Sequence, residues 1–585
     1  MKIFTNHIGY GCDSSKLAVV ESSSAFTGKV SALLVASESE VPVARLEPQS
    51  YGPVEGWKGR FFYQFDFSDL NRPGSYMLEV TAGEETQRSY PFFIKDEILA
   101  DRCISDILFY FKGQRSSGRW DVVDHSLPFF GERSGRVDLH GGWFDASGDY
   151  SKYLSHLSYA NYLNPQQIPL VVWSLLSLGD ALSAHAKYGG TLLTERAFEE
   201  GLFGADFLVR MQDPAGYFYT TVFDRWSKKN EERMVSAFKT KQGERLEGYQ
   251  AAFRQGGGVA IAALAKASRY GRTEIPTDGF SPAVMLEKAI AGYEHLKTHN
   301  REYLDNGREN IIDFYCALLA AVELYHATGE DLYLHEARAW VDELLPLFSP
   351  EIDAWVVEKG NHRPFYHAAE SGLPLIALVH YHKIEPDKEK KSRILSTILA
   401  VCEAEIARSQ DVYNPFMLSR QMVQPVGGKV RASFFVAHEN ETGYWWQGEN
   451  SRLASISAAL RQAVVLLQAE KAGGNFNNDF IIGKMKKLAD LQLDWILGLN
   501  PFDICMLHGH GRNNPEYEEH YPNAPGGICN GITGGYLDEM DVDFLPLAAC
   551  NSGDHRWRWS EQWIPHAAWF LLALTSGLAL EKISE

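Results

Sequence analysis

The chain predicts a mostly α protein in two parts, a small N-terminal β-sandwich followed by a closed toroid of antiparallel helical hairpins. Three observations carry this. Short segments of alternating polarity fill the first 95 residues. Beyond Asp96 the apolar period lengthens from two to between three and four. About twelve helical patterns then follow without a sequence repeat, interrupted by long stretches rich in aromatic residues, Gly and His.

The sandwich, residues 1–95, is read from strands such as Lys16 to Val20, Lys29 to Ala36, Phe61 to Phe67 and Ser75 to Val80. Turn formers, including Asn71-Arg72-Pro73-Gly74, separate them. In residues 96–585, helices are expected near 99–113, 166–187, 196–212, 253–270, 282–298, 309–328, 331–347, 367–383, 388–409, 450–470, 478–497 and 561–581. Twelve helices make six hairpins. An open solenoid has the same count but would show a repeat. The intervening stretches 138–165, 214–250, 410–450 and 498–560 are long for a compact helical domain, and loops of that length usually carry function.

Composition narrows the function. Of 585 residues, 45% are hydrophobic and 12% aromatic, enough for a large core. The 56 Lys and Arg against 75 Asp and Glu leave a formal charge of −19 and no basic patch, which argues against nucleic acid and anionic membrane as partners. Met1 to His7 lacks the apolar run of an export signal, and the seven Cys are scattered without a paired motif, so a cytoplasmic, reduced setting is expected. The uncharged stretch Gln562 to Leu580 carries Pro565 and Gly577 and reads as a buried helix rather than a membrane span.

Two segments offer chemistry. Asp138 to Tyr153 places Asp145 and Asp149 four residues apart around small residues, beside Trp143, Phe144 and Tyr150. Two such carboxylates can hold and deprotonate one water, the aromatic faces suit a sugar ring, and Lys152 offers a positive charge. The same residues also suit a helix entry with Asp149 as its cap. Arg556 to His566 sets Glu561 among Trp557, Trp559 and Trp563. Apolar surroundings raise a carboxyl pKa, as a general acid near neutrality requires; alternatively, Glu561 decorates the first turn of a helix. Together the segments supply a water-activating pair and a proton donor, the minimum for inverting glycoside hydrolysis.

These residues resemble glycoside hydrolase family 9, with its immunoglobulin-like N-terminal module and (α/α)6 barrel. Asn6-His7-Ile8-Gly9-Tyr10 is similar to the opening of the module, and Gly142 to Asp149 resembles the family's Asp-Ala-Gly-Asp signature. Gly498-Leu499-Asn500-Pro501 and Gly511 to Pro515 look like the approach to its last active-site loop, and Ser560-Glu561 stands where the family has Asn-Glu. The resemblance implies Asp149 as base, Asp145 as its partner and Glu561 as acid. Two departures stand out: Ser147 widens the Asp spacing from three to four, and Pro515 to Pro522 lacks the intact His-His-Arg cluster with which family cellulases grip glucan.

The acidic replacement at Glu516, Glu518 and Glu519 suits a cationic sugar; from charge alone, a solvated acidic loop suits the same residues at least as well. Residues 147–156 and 309–315 resemble the family's exo-β-D-glucosaminidase branch. The expected reaction is therefore release of β-1,4-linked D-glucosamine from the non-reducing end of short chitosan-type oligosaccharides; the alternative is an endoglucanase, cellodextrinase or β-glucosidase acting on β-1,4-glucan. Trp143, Tyr303, Asp305, Arg363, His367, Trp446, Glu449 and His520 are the candidate substrate contacts, although the aromatics among them suit core packing equally. No cofactor is required. The spacing of His508, His510, His520, His555 and His566 fits no catalytic metal motif, and a structural calcium is compatible with the resemblance. The sequence does not specify an oligomeric state.

Overall fold

The computed structural model describes residues 1–157, 161–239, 243–271, 276–550 and 553–584. At the N-terminus two sheets face each other. One carries Lys2–Phe4, Leu17–Ser22, Phe61–Asp66 and Ser50–Gly52; the other carries Pro42–Leu46, Val30–Ala36, Gly74–Ala82 and Glu85–Arg88, with Phe92–Ile94 also paired to Gly74–Ala82. In Gly74–Ala82 every second residue (Tyr76, Leu78, Val80, Ala82) points inward, as the two-residue strand period requires. Its register sets Leu78 opposite Leu34 and Val80 opposite Ala32.

Leu17–Ser22 breaks that alternation, because Leu17, Ala18, Val19 and Val20 are all buried. Ala18 and Val20 fill the sandwich, whereas Leu17 and Val19 join Phe4, Trp57 and Phe62 in the core of the helical domain. The strand is therefore apolar on both faces because it is covered on both. Phe62 meets Phe416 edge-on at 5.3 Å, and polar ties run beside it: Asn6 Nδ2 donates to Asp494 Oδ1 at 2.7 Å and Gln64 Nε2 to the Pro415 carbonyl at 2.8 Å.

The helices form two concentric rings. The inner ring is Ile168–Ala184, Gly257–Ala267, Ile311–Thr328, Leu373–Ile384, Asn450–Ala472 and Ile564–Ser584; each packs on the next, and the last returns to the first. Behind them stand Leu192–Arg210, Pro282–His299, Asp331–Leu344, Lys388–Gln410, Asp479–Ile496 and, behind the final inner helix, Ile98–Gln114. This is the (α/α)6 toroid, and the twelve helices match the sequence expectation in number and order, with the largest boundary difference at Leu373–Ile384, expected from 367. The short helices Gly118–Asp124, Leu547–Cys550 and Gly553–Ser560 lie outside it.

Inner helices are buried all round, which explains their apolar composition. In Ile311–Thr328 every residue from Ile311 to Leu324 is buried. Its start is set by a capping box: Asn310 Oδ1 accepts the Ile312 N–H at 2.9 Å, while Asp313 Oδ2 accepts the Asn310 N–H at 3.0 Å. Its end is set by Gly329 at φ +71°. Although this helix is long and apolar enough to cross a membrane, it belongs to the ring, as does the Gln562 to Leu580 stretch.

The connections are unequal. Those leading into inner helices (125–167, 211–256, 300–310, 345–372, 411–449 and 497–563) are mostly long, whereas those leading out (185–191, 268–281, 329–330, 385–387 and 473–478) are shorter. The long connections thus gather at the mouth formed by the inner-helix N-termini.

Candidate active site

The Asp145 loop is anchored before it reaches the mouth. Trp143 is fully buried, its Nε1 donating to Glu200 Oε1 at 2.9 Å, and Glu200 is held in turn by Arg115. A Cβ on Gly204 would stand 2.1 Å from the Trp143 ring, so only Gly admits that ring. Lys152 is equally buried; it pairs with Asp124 at 2.7 Å and donates to the Leu139 and Gly141 carbonyls. Both residues hold the loop from beneath. Trp143 does not touch substrate and Lys152 does not offer its charge to the mouth, because a fully enclosed side chain with satisfied donors has neither surface nor hydrogen-bonding capacity left.

Beyond Phe144 the loop is stitched to the segment bearing Glu561. Ala146 bridges Trp563, the Ser147 N–H donates to the Gln562 carbonyl at 2.9 Å, and the Ile564 N–H donates to the Asp145 carbonyl at 3.0 Å. Ser147 Oγ accepts the Gln562 N–H at 3.2 Å and donates to Asn523 Oδ1 at 3.1 Å. A Cβ on Gly148 would lie 3.0 Å from Glu561 Oε1 and 2.9 Å from the Tyr517 ring, so this glycine permits the close approach of the acid.

Asp149 lies in the turn 146–149, well before Ile168–Ala184, and Glu561 lies in extended chain between Gly553–Ser560 and Ile564–Ser584. Neither opens a helix; Glu561 instead follows the end of Gly553–Ser560, its N–H directed to the Trp557 carbonyl at 3.4 Å.

The three carboxyl groups are enclosed but differently held. Asp149, 7% exposed, accepts the Ser151 N–H at 2.8 Å on Oδ1, and the Tyr153 hydroxyl at 2.6 Å and Trp226 Nε1 at 3.0 Å on Oδ2. Glu561, also 7% exposed, accepts Trp563 Nε1 at 2.8 Å. Burial pushes its carboxyl up to about 8, with the neighbouring Asp149 charge adding to the shift. Asp145 is 1% exposed, and neither of its oxygens has a hydrogen-bond partner among the described residues. Burial, and then the charges of Asp149 and Glu561, hold it well above the usual carboxylate range. One oxygen from each aspartate and one ring nitrogen of His156 lie within 4.8 Å of one another. An aspartate pair at one water's reach, facing a carboxyl that stays protonated near neutrality, can deprotonate water on one side and donate a proton on the other.

The other candidates are dispersed. Glu449 is buried and spent on Arg452, Gln421 Nε2 at 2.8 Å and the Val436 N–H at 2.6 Å. His367 is buried and its Nδ1 accepts the Ala369 and Glu370 N–H groups. Trp446 is buried, stacked on His438 at 4.2 Å. Glu449 is thus an interior support, whereas His367 Nε2 and Trp446 Nε1 have no partner among the described residues. Arg363 is buried in a pair with Glu441 and lies over Tyr162 and Tyr366. Tyr303 donates to, or accepts from, His295 at 2.5 Å, and Asp305 stands 3.5 Å from Arg254. His520 is exposed on the acidic loop beside the Glu561 segment.

Sequence reasoning missed Tyr153, Trp226 and Asp224. Tyr153 sits four residues from Asp149, a spacing that could have drawn attention; Trp226 lies in a stretch flagged only for its length. Arg225, Trp226 and Lys228 all have positive φ, at 60°, 55° and 60°, backbone that L residues avoid. Asp224 holds this segment by accepting Ser151 Oγ and the Trp226 and Lys228 N–H groups, each at 3.0 Å. Lys228 Nζ then lies 3.3 Å from the centre of the Tyr521 ring.

Among the described residues a structural ion has one surface candidate: His125, Asp138 and His140, with Asp278 Oδ2 3.3 Å from His140 Nε2. Mixed nitrogen and oxygen donors suit zinc better than the all-oxygen shell of calcium.

Comparison with known proteins agrees with this architecture. Residues 101–526 match the model of glycosyl hydrolase family 9, and residues 1–85 match the cellulase N-terminal ig-like domain. The chain is 26% identical to the xyloglucan-specific endo-beta-1,4-glucanase BoGH9A of Bacteroides ovatus, over 93% of this chain and 87% of the relative. It is 23% identical to endoglucanase 15 of Arabidopsis thaliana, over 77% and 81%. A metagenome-derived glycoside hydrolase family 9 endoglucanase superposes with a TM-score of 0.65 at 19% identity, covering 99% of both chains. Hydrolysis in this family needs no cofactor. With the family model spanning most of its length, the chain belongs to glycosyl hydrolase family 9.

Proposed function

We propose that the chain hydrolyses β-1,4-linked oligosaccharides with inversion at the anomeric carbon. Glu561 protonates the departing glycosidic oxygen, while Asp149, assisted by Asp145, holds and deprotonates the attacking water. The observation that carries this reading is the backbone pairing of Ala146 and Ser147 with Gln562 and Trp563, which brings acids 412 positions apart in the chain to one site. The donors fit the roles. Asp149 accepts three hydrogen bonds that fix its orientation, whereas burial favours the neutral form of Glu561.

β-1,4-Glucan is the substrate class supported by the names of the relatives. A second reading, exo-acting release of D-glucosamine, is favoured by two features. Glu516, Glu518 and Glu519 flank Tyr517, whose ring reaches Gly148 beside Glu561, so carboxylates stand near the sugar-binding side. Lys228 over Tyr521 links the Asp224 segment to the acidic loop, a contact that would suit a site closed around short chain ends. The same reading places the enzyme in the cytoplasm, in keeping with buried free thiols at Cys12, Cys103, Cys316, Cys402, Cys505 and Cys529.

Time-resolved NMR of products from cellotetraose and glucosamine tetramer tests all of this. An α-anomer appearing first supports inversion, and a β-anomer appearing first refutes it. The tetramer that turns over identifies the sugar, and monomer against dimer release separates exo from endo action.

A further inference from the structure

The catalytic reading leaves one buried group at the centre of the site without a task. His156 is buried, with its backbone N–H fixed on the Pro165 carbonyl at 3.0 Å. Its ring lies between Tyr153, at 4.6 Å, and Trp563, at 4.8 Å, with Phe238 closing the edge at 5.7 Å. Tyr153 holds Asp149 and Trp563 holds Glu561. Its Nε2 is 3.9 Å from Asp145 Oδ2, and its Nδ1 has no protein partner among the described residues. The imidazole thus touches the donor of one acid, touches the donor of another and faces the third.

We propose that His156 is the positioning residue for Asp145, its Nε2–H closing onto Asp145 Oδ2 when substrate seats. This inference rests on the reading of Asp145 and Asp149 as the water-holding pair. Asp149 and Tyr153 from its own loop, Glu561 from the C-terminal segment and Tyr110 from Ile98–Gln114 all face Asp145; the Tyr153 hydroxyl is committed to Asp149, which leaves the His156 imidazole and the unpartnered Tyr110 hydroxyl as neutral donors within the enclosure. Nothing cationic approaches it closely among the described residues, because burial pushes His156 down to about 3 and leaves it a neutral ring. A neutral imidazole can donate one N–H to a carboxylate without neutralising it. That favours the charged form in which Asp145 accepts a hydrogen bond from water. The gap of 3.9 Å is too long for a hydrogen bond, but catalytic hydrogen bonds of free enzymes commonly tighten in the substrate complex.

The test compares His156→Phe, which keeps the ring contacts and removes the donor, with His156→Asn, which keeps an N–H. Each is followed by thermal melting and by pH profiles of kcat and kcat/KM on the substrate identified above. In H156F, kcat is expected to fall 10- to 100-fold with KM within twofold of wild type, and the acidic limb to move up by about one pH unit. H156N is expected to recover part of kcat and of the limb. Two results overturn the inference: H156F matching wild type in kcat and acidic limb, or H156N no better than H156F. Asp145→Asn distinguishes the two levels. If D145N is inactive while H156F is normal, only the role of His156 fails; if D145N is fully active, the water-holding pair fails with it.

Discussion

Ser147 and Gln562 grip each other twice: the Ser147 N–H donates to the Gln562 carbonyl, and Ser147 Oγ accepts the Gln562 N–H. The residue that widens the aspartate spacing is therefore the one that ties the aspartate loop to the segment bearing the acid. Ser147→Ala removes one grip and the contact to Asn523. The expected result is a loss of about 1 kcal/mol in stability and a several-fold fall in kcat with KM nearly unchanged, measured by denaturant melts and steady-state kinetics. Unchanged kcat would show that the backbone bond alone sets the distance.

Glu561→Gln keeps the shape and the Trp563 contact but cannot deliver a proton. Turnover of natural oligosaccharides is expected to drop 100- to 10,000-fold, and aryl glycosides with good leaving groups to lose far less. Parallel kinetics on the two substrate types check it; equal losses would remove Glu561 from the acid role.

The same carboxyl makes stability depend on pH. Its folded pKa, about 8, lies above its value of 4.5 in the unfolded chain. The folded state therefore retains a proton that the unfolded state loses, and the contribution, full below pH 4.5, disappears as pH rises through about 8. E561Q has no such proton to lose. Its melting temperature is expected to exceed that of wild type at pH 8–9 and to converge with it near pH 4–5, and thermal melts across that range decide. Activity of the wild type is expected to decline above about pH 8, as the acid ionises.

Trp226 supports Asp149 from a strained segment. Trp226→Phe removes the indole N–H while retaining much of the ring packing on Phe223 and Phe238. We expect kcat to fall about tenfold with little change in KM, because a donor that orients Asp149 is lost. A fall in KM alone would contradict this.

Gly204→Ala tests the anchor of the loop. The added methyl enters the Trp143 ring position at 2.1 Å, and overpacking of this kind costs about 1–3 kcal/mol. Calorimetric melts should record the loss, and kcat should fall as the loop above shifts.

How much could be read in advance follows from the range of the forces. The twelve helices were legible because their apolar residues and their ends are local features, as in Ile311–Thr328, an apolar run buried all round whose ends Asn310 and Gly329 mark. Asp145, Asp149 and Glu561 were legible as residue types in unusual surroundings. Trp143 and Glu449 were misread because a polar side chain looks the same in sequence whether a substrate or a neighbouring segment satisfies it; only the fold reveals Glu200 beneath Trp143 and Arg452 beside Glu449. Trp226 escaped for the opposite reason. Its hydrogen bond to Asp149 depends on three left-handed residues in a row of four, a conformation imposed by Asp224 and not foreshadowed by local pattern.

The inequality of the connections separates two evolutionary burdens. Specificity can be rewritten one loop at a time at the crowded rim, while the hydrophobic scaffold tolerates no comparable drift. At the opposite rim Gly329 and Glu330 alone join two helices, so that side of the ring has little chain from which a binding surface could be built.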